Sequence, residues 1–272
     1  MFRIGGWWYL VFSEYRDVWS THYRMARSPQ GPWLTPADDG FDERAYYAAK
    51  TVSDGTRRFI AGWLCTKEGQ QDGGKYEWGG SLMVHELLQR QDGTLGAGLP
   101  KEVEEAYTTA CELTPQPEMG QWRTQGDALV AQGRSEFCFA RLAELPEEFT
   151  FHTTMRWQPN TRSLGISLRA GKPLADGYMV SIEPERRMLK FDRWLRAWDT
   201  PWMERPLVVE GDQAELQVIM AGSEIAIYVN GTVALSGRAY DLKGGSIGLF
   251  VSEGEGEFSE CRLMTRREAA RE

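Results

Sequence analysis

The sequence predicts an all-β protein, and three observations lead to this prediction. Aromatic residues make up 12% of the 272 residues, and aromatic side chains are enriched in strands. Apolar and polar residues alternate in 149–157 (FTFHTTMRW), as expected for a sheet with one buried face. Turn signals such as Asp54-Gly55 and Asp92-Gly93 recur between apolar runs. Helical periodicity is weak outside 101–110 and 266–272, so helices are expected to be a minor part of the fold.

The first part of the chain, residues 1–105, is expected to consist of short strands and tight turns. Strands are predicted in 6–15 and 21–28, followed by hairpins in 45–65 and 77–99. The next stretch, 99–122, has little alternation and carries the prolines Pro100, Pro115 and Pro117. It is therefore interpreted as a connector.

The second part, residues 106–268, is predicted to be a two-sheet β-sandwich. It contains a series of strand-like runs with turn residues between them, and several of these runs alternate in polarity. The runs are 136–142, 148–158, 163–170, 177–184, 188–194, 214–236 and 246–254.

Composition excludes several classes of function. With 31 Lys and Arg against 39 Asp and Glu the formal net charge is −8, and no basic cluster is present, so a nucleic-acid partner is not expected. No apolar run is long enough to predict a membrane span. Because the amino-terminal residues do not form a signal peptide, the expected location is the cytoplasm.

The sequence carries no pattern for a metal or a cofactor. The four cysteines lie far apart without a CxxC pair, which favours reduced thiols over a disulfide framework or a zinc site. The three histidines (His22, His85 and His152) are isolated from one another and from other ligand residues, so no metal is expected. Glycine-rich phosphate loops and serine-nucleophile motifs are absent, and no cofactor is predicted.

Three stretches of the first part resemble one enzyme family. The first stretch is 41–51 (FDERAYYAAKT), with Asp42, Tyr46, Tyr47 and Ala48. The second is 57–64 (RRFIAGWL), which has Gly-Trp near its end, and the third is 77–95, which has Trp, Gly and Glu-Leu before an Asp-Gly turn. In this order and spacing they resemble glycoside hydrolase family 32, the β-fructosidases that cleave sucrose, inulin and levan. Residues 216–240 resemble a strand pair of the family's β-sandwich module.

The resemblance implies a partial five-bladed β-propeller, consisting of its last one to two blades, followed by a β-sandwich. It covers the carboxyl-terminal portion of the family pattern, beginning within the fourth blade. The stretches that resemble the propeller contain none of the family's three acidic motifs, Asn-Asp-Pro, Arg-Asp-Pro and Glu-Cys. Because glycoside hydrolysis requires a positioned pair of carboxyl groups, the chain alone is expected to be inactive.

The candidate substrate-binding residues are Asp42, Trp63, Tyr47, Trp78 and His22. By the resemblance, Asp42 corresponds to an acidic residue that hydrogen-bonds sugar hydroxyls and Trp63 to a tryptophan that lines the sugar pocket. The competing interpretations are a turn residue for Asp42 and core packing for the aromatic residues. A carboxylate pair at Glu14 and Asp17 is interpreted as part of a solvated loop.

Three functional hypotheses follow. In the first, the chain is a β-fructosidase relative that keeps a sugar-binding surface and forms a homodimer or a complex with a chain supplying the missing blades, because open sheet faces favour association. In the second, it is a stand-alone carbohydrate-binding β-sandwich protein, with Trp194, Trp198 and Trp202 as a stacking platform or, alternatively, as packing residues. In the third, it is a hydrolase that uses other carboxylates.

Overall fold

A computed structural model describes residues 1–15, 19–194 and 203–266 and shows a nearly all-β chain. Its short helices are a 3₁₀ turn at Glu68–Gln70 and α1 at Lys101–Glu104. Within the described ranges, no helix has the length and apolar character needed to cross a membrane. The strands are β1 (Phe2–Ile4), β2 (Trp7–Glu14), β3 (Ser20–Ala26), β4 (Tyr46–Ser53), β5 (Arg58–Lys67), β6 (Tyr76–Gln89), β7 (Leu95–Gly98), β8 (Tyr107–Cys111), β9 (Gln116–Met119), β10 (Gln121–Gln125), β11 (Ala128–Glu144), β12 (Glu148–Trp157), β13 (Ser163–Ala170), β14 (Tyr178–Glu183), β15 (Met188–Arg193), β16 (Met203–Pro206), β17 (Gln213–Ala221), β18 (Glu224–Val229), β19 (Val233–Arg238) and β20 (Ser246–Arg266).

The first seven strands form two antiparallel sheets that pack against each other. β1–β3 make one sheet and β4–β7 the next, each in chain order. Tyr9 and Tyr23 of the first sheet share one apolar cluster with Tyr46 and Ile60 of the second, and all four are fully buried. Consecutive antiparallel sheets stacked in this way are the blades of a β-propeller, so the predicted partial propeller is confirmed.

The later strands form the predicted β-sandwich. The long strand β20 pairs with β11 and β13 near its start and with β12 and β8 near its end, so it runs through both layers. The layers enclose a large apolar core that includes Phe149, Phe151, Ile166, Val218 and Leu249. Alternation in β12 places Phe149, Phe151 and Met155 in this core, which explains why the pattern was readable in the sequence.

The proline-containing stretch 99–122 differs from the predicted connector. It contains α1 and the strands β8 and β9, and β10 begins at its end. β8 pairs with β20, and β9 and β10 pair with β11. β9 has a strand partner on one side only, so Pro117 lies in an edge strand, where proline is tolerated.

Two buried polar side chains join the blades to the sandwich. Arg238 of β19 donates to the carbonyl oxygens of Leu64 and Cys65 on β5, at 2.9 and 3.3 Å. Asp72, which follows β5, accepts hydrogen bonds from the Tyr240 amide and the Tyr178 hydroxyl, each at 2.7 Å. Buried polar groups without partners are costly, so these contacts fix the two parts relative to each other.

We predict that Arg238→Met destabilises the protein strongly. The substitution leaves the Leu64 and Cys65 carbonyls without their donor in a buried interface, and we expect the free energy of unfolding to fall by about 3 kcal/mol. Urea denaturation followed by tryptophan fluorescence measures the change. The control is Arg162→Met, which removes an exposed ion pair with Glu253 and is expected to cost less than about 1 kcal/mol. An equal fall in the free energy of unfolding of the two variants would contradict the role given to Arg238.

Candidate functional site

A cavity of about 460 Å³ lies where the first blade, the segment before β4 and the sandwich meet. Residues 34–41 run back along β3 and are held there by the pairing of Leu34 with Met25 and by a hydrogen bond from the Tyr23 amide to the Asp39 carbonyl, at 2.9 Å. This path of the chain places the acidic residues Asp38 and Asp39 beside the ends of β2, β3 and β16. The cavity is lined by Glu14, Ser20, His22, Ala37, Asp38, Asp39, Gly40, Asp42, Glu43, Arg205 and Pro206.

His22 is held in the cavity wall by contacts on both ring nitrogens. Its Nδ1 lies 2.9 Å from an Asp39 carboxylate oxygen, and its Nε2 lies 2.7 Å from the Ser20 hydroxyl. The ring also stacks on Phe12, with the centroids 5.9 Å apart. His22 is therefore a fixed polar group at the cavity surface, available to a ligand only from its exposed edge.

The carboxylates of the cavity are oriented by two arginines. Arg205 reaches from β16 and contacts both carboxylate oxygens of Asp38, at 2.8 and 2.9 Å, and Arg24 pairs with Asp39. Contacts to both oxygens fix the orientation of the carboxylate, and the opposite charges strengthen the hydrogen bonds. The cavity thus presents oriented hydrogen-bond acceptors on rigid supports.

Glu43 is a cavity residue whose pKa is raised. Burial raises the pKa of its carboxyl group to about 7, the charge of Arg205 acts against this shift, and the neighbouring Asp42 and Asp38 charges act with it. A carboxyl group in this range is partly protonated near neutral pH, so Glu43 can donate a hydrogen bond where the other carboxylates only accept.

Asp42 lies below the cavity in the seam between the blades and the sandwich. Its buried carboxylate contacts His85 Nε2 of β6 at 2.9 Å and accepts from the amides of Ser236 and Glu43 at 2.6 and 2.7 Å. Tyr228 of β18 contacts the other nitrogen of His85, also at 2.9 Å. Burial acts to raise the pKa of Asp42, but the hydrogen bond and charge of His85 and the hydrogen bonds from Ser236 and Glu43 hold it below its usual value.

These contacts give the Asp42 carboxylate a structural role in this conformation. Its side chain has no exposed surface, and both carboxylate oxygens contact protein groups. A contact between Asp42 and a sugar hydroxyl stays a prediction. The carboxylates that face the cavity are those of its neighbours.

A cluster of five aromatic side chains includes two residues that are neighbours of cavity residues in the chain. Tyr47, Trp63 and Trp78 are in mutual contact, with ring centroids 5.0–5.7 Å apart. The rings of Trp19 and Tyr15 pack on Trp78, with centroids 5.6 and 5.8 Å from its ring. In the chain, Tyr15 follows the cavity residue Glu14 and Trp19 precedes the cavity residue Ser20. Tyr15 and Trp78 are 67% and 63% exposed, so the cluster offers flat apolar surface to solvent.

The glycine pair Gly79-Gly80 explains how Trp78 reaches this cluster. Gly79 has φ of +113°, a conformation that favours glycine, and a Cβ at Gly80 would lie 1.9 Å from the Leu64 carbonyl oxygen. The strand pairing shifts register here, between Cys65 and Lys67. The bend lets β6 turn so that the Trp78 ring packs across Trp63.

The sequence analysis named Tyr47, Trp63 and Trp78 of the cluster, and His22 and Asp42 of the cavity lining. It did not single out Tyr15, Trp19, Asp38, Asp39, Glu43 or Arg205 as site residues. The signal available is the acidic run ADDGFDE around Asp42, for which a turn is the competing interpretation. Of the other candidates, Trp194 stacks on Phe137 at 4.6 Å, and Asp17, Trp198 and Trp202 lie outside the described residues.

Among the described residues, no group of three or more His, Cys, Asp or Glu side chains is arranged to hold a metal ion. The cavity carboxylates instead contact arginine, histidine and backbone groups.

The sequence Glu-Cys occurs in the sandwich, at Glu260-Cys261 of β20, where the Glu260 carboxylate accepts a hydrogen bond from the Thr154 hydroxyl.

Comparison with solved structures gives the fold a known counterpart. The exo-inulinase of Aspergillus awamori matches with a TM-score of 0.64 at 12% identity, over 92% of this chain and 50% of the enzyme. The GH32 β-fructofuranosidase of Bombyx mori matches with a TM-score of 0.63 at 15% identity, over 98% and 53%. The fold is that of family 32 β-fructosidases. The chain spans about half the length of these enzymes.

A shorter structure also matches part of the chain. The carbohydrate-binding module CBM66 of Bacillus subtilis covers 58% of this chain and 99% of the module, with a TM-score of 0.52 at 13% identity. No protein-family model and no curated protein sequence matches the chain. The likeness is therefore one of fold.

We predict that Glu43 makes the stability of the protein fall as pH rises. The pKa of Glu43 is about 7 in the folded state and about 4.3 in an unfolded chain, so between these values the folded state binds the extra proton and stability declines with increasing pH. Glu43→Gln, which cannot ionise, should be increasingly more stable than the wild type from pH 5 to pH 8. Urea denaturation across this range measures the difference.

The exposed Glu185→Gln serves as the control and should follow the wild-type pH profile. Asp42 does not interfere, because the stability contributed by its lowered pKa is lost only in more acidic solution. If the free energies of unfolding of the wild type and Glu43→Gln change in parallel with pH, the pKa given for Glu43 is wrong.

Proposed function

We propose that the chain binds fructose-containing carbohydrate in the cleft formed by the aromatic cluster and the acidic cavity, and that it does not cleave this ligand on its own. The observation that carries the proposal is that exposed rings and oriented polar groups come from neighbouring residues, because Tyr15 of the cluster follows Glu14 of the cavity lining and Trp19 precedes Ser20. Trp78 and Tyr15 provide the rings, and Asp38 and Asp39 provide the polar groups.

The chemistry of the cleft suits a sugar. Pyranose and furanose rings have apolar C–H faces that stack on aromatic side chains and hydroxyl groups that need hydrogen-bond partners. Carboxylates accept from hydroxyls in charge-assisted hydrogen bonds, and protonated Glu43 donates. An apolar platform with a few convergent polar groups is the usual composition of a small-molecule site.

The class of sugar comes from the proteins that share the fold. They include an exo-inulinase and a fructan 1-exohydrolase of Cichorium intybus crystallised with 1-kestose. The absence of cleavage rests on the sequence, because the stretches that resemble the propeller lack the family's acidic motifs.

A second candidate is sugar binding by the sandwich alone. It is favoured by the match between this part of the chain and the whole of a carbohydrate-binding module. In that case the aromatic cluster of the blades would be a packing surface, and its substitution would leave sugar affinity unchanged.

Calorimetric titration with 1-kestose and short inulin and levan oligosaccharides tests the proposal. We expect measurable binding by the wild type and about tenfold weaker binding by Trp78→Ala, since one aromatic contact contributes about 1–1.5 kcal/mol. Trp122→Ala, a tryptophan of the sandwich beside Phe258, is the matched control and should retain affinity. Absence of binding by the wild type would refute the proposal, and undiminished binding by Trp78→Ala would favour the sandwich.

The same preparations are then assayed for released fructose. No release is expected from sucrose, inulin or levan. Release that survives repurification and is lost in Glu43→Gln would show that the cavity is catalytic, with Glu43 as the acid, and would overturn the second half of the proposal.

A further inference from the structure

The cavity of the proposed sugar site has an unequal balance of charge. Among the described residues that line it, five carry carboxyl groups, namely Glu14, Asp38, Asp39, Asp42 and Glu43. Arg205 is the one lining residue in this part of the chain that is always positive, and His22 is charged only when it is protonated. The cavity wall is therefore more negative than positive, on a chain whose formal net charge is −8.

The guanidinium of Arg205 is occupied by the protein itself. Its Nη2 contacts both carboxylate oxygens of Asp38 and donates to the Gly40 carbonyl at 3.2 Å. Its Nη1 donates to the carbonyls of Phe41 and Ala234. The remaining N–H group, at Nε, is buried without a partner. An anion in the cavity therefore meets a guanidinium whose terminal nitrogens are already bonded, and the paired contacts that arginine makes with phosphate are not on offer.

A second arginine close to the cavity residues is held in a similar way. Arg24 pairs with Asp39, donates to the Tyr23 carbonyl at 2.8 Å, and has its guanidinium carbon 4.9 Å from the centroid of the Phe12 ring. Each arginine thus offsets the charge of one carboxylate and leaves no net positive charge. Glu43 belongs to neither ion pair and adds negative charge when it ionises.

We propose that the cavity binds neutral sugars and excludes phosphorylated ones. This inference rests on the proposed function and specifies its ligand class, which is a fructose unit that carries hydroxyl groups and no phosphoryl group. Hydroxyl groups donate hydrogen bonds to carboxylates. A phosphate monoester has a charge of about −1.5 to −2 at pH 7 and strong acceptor oxygens, so it is repelled by the same carboxylates. Unfavourable charge contacts of this kind are a common source of specificity.

Calorimetric competition against 1-kestose at pH 8, where Glu43 is mostly ionised, tests the selectivity. The competitors are fructose, fructose 1-phosphate and fructose 6-phosphate, which carry the phosphoryl group at neither end, at one end or at the other end of the sugar. The cavity volume of about 460 Å³ is in the usual range of small-molecule sites, so both ends of a fructose unit fall within its field. We expect each ester to compete at least about tenfold more weakly than fructose, because juxtaposed like charges are costly.

Ionic strength identifies charge as the cause. Raising the salt concentration from about 0.01 M to about 1 M shortens the Debye length from about 30 Å to about 3 Å, so the difference between fructose and its esters should shrink. A difference that is insensitive to salt would indicate steric exclusion and would overturn the proposal.

Two substitutions test the cavity carboxylates individually. Glu43→Gln removes one negative charge at pH 8 and should narrow the difference between fructose and its esters several-fold, whereas the exposed Glu185→Gln should leave it unchanged. Asp38→Asn removes the carboxylate that occupies Arg205 and should let the esters compete as well as fructose or better. Its control is Asp127→Asn, in an exposed turn between β10 and β11. Circular dichroism verifies that each variant is folded, and unchanged discrimination in both cavity variants would overturn the proposal.

The competition separates this inference from the proposed function. Absence of 1-kestose binding by the wild type would refute the proposed function and this inference with it. Binding of 1-kestose, with either ester competing as well as fructose, would overturn the selectivity alone. Failure of fructose and both esters to compete with bound 1-kestose would place the ligand outside the cavity and would also overturn the selectivity.

Discussion

The buried carboxylate of Asp42 is the contact on which the arrangement of the site depends. It joins the segment before β4 to His85 of the second blade and to Ser236 of the sandwich, and His85 continues the contact to Tyr228. A buried charge without partners costs about 3–5 kcal/mol, so the three elements are constrained to meet at this point. The acidic run that lines the cavity is fixed as a consequence, because Asp38, Asp39 and Glu43 flank Asp42 in the chain.

Much of the fold was readable from local pattern. Alternation in β12 and the Asp-Gly turns predicted strands and hairpins because these features act over a few residues. The stretch around Pro117 was less readable, since its strands depend on the distant partners β11 and β20. Local propensity cannot report a partner that lies far away in the sequence.

The candidate site was predictable to the extent that it follows the strands. Tyr47 and Trp63 come together because β4 and β5 are adjacent, which the predicted hairpin in 45–65 implies. The pairing of β5 with β6, which adds Trp78, is not implied by either predicted hairpin. Tyr15, Trp19 and Arg205 come from outside that sheet, and only the packing of the first blade and the sandwich brings them to it. The acidic run resembles an ordinary turn until its pairing along β3 is known.

The cleft thus lies at the junction of two blades and a sandwich, and each contributes groups to it. The blades supply the rings and most carboxylates, and β16 supplies the arginine that orients Asp38.

A crystal structure of the protein with 1-kestose tests this account most directly. We predict that the sugar lies against Trp78 with hydroxyl groups directed to the carboxylates of Asp38 and Asp39. Sugar bound on the sandwich, with the aromatic cluster of the blades unoccupied, would contradict the account.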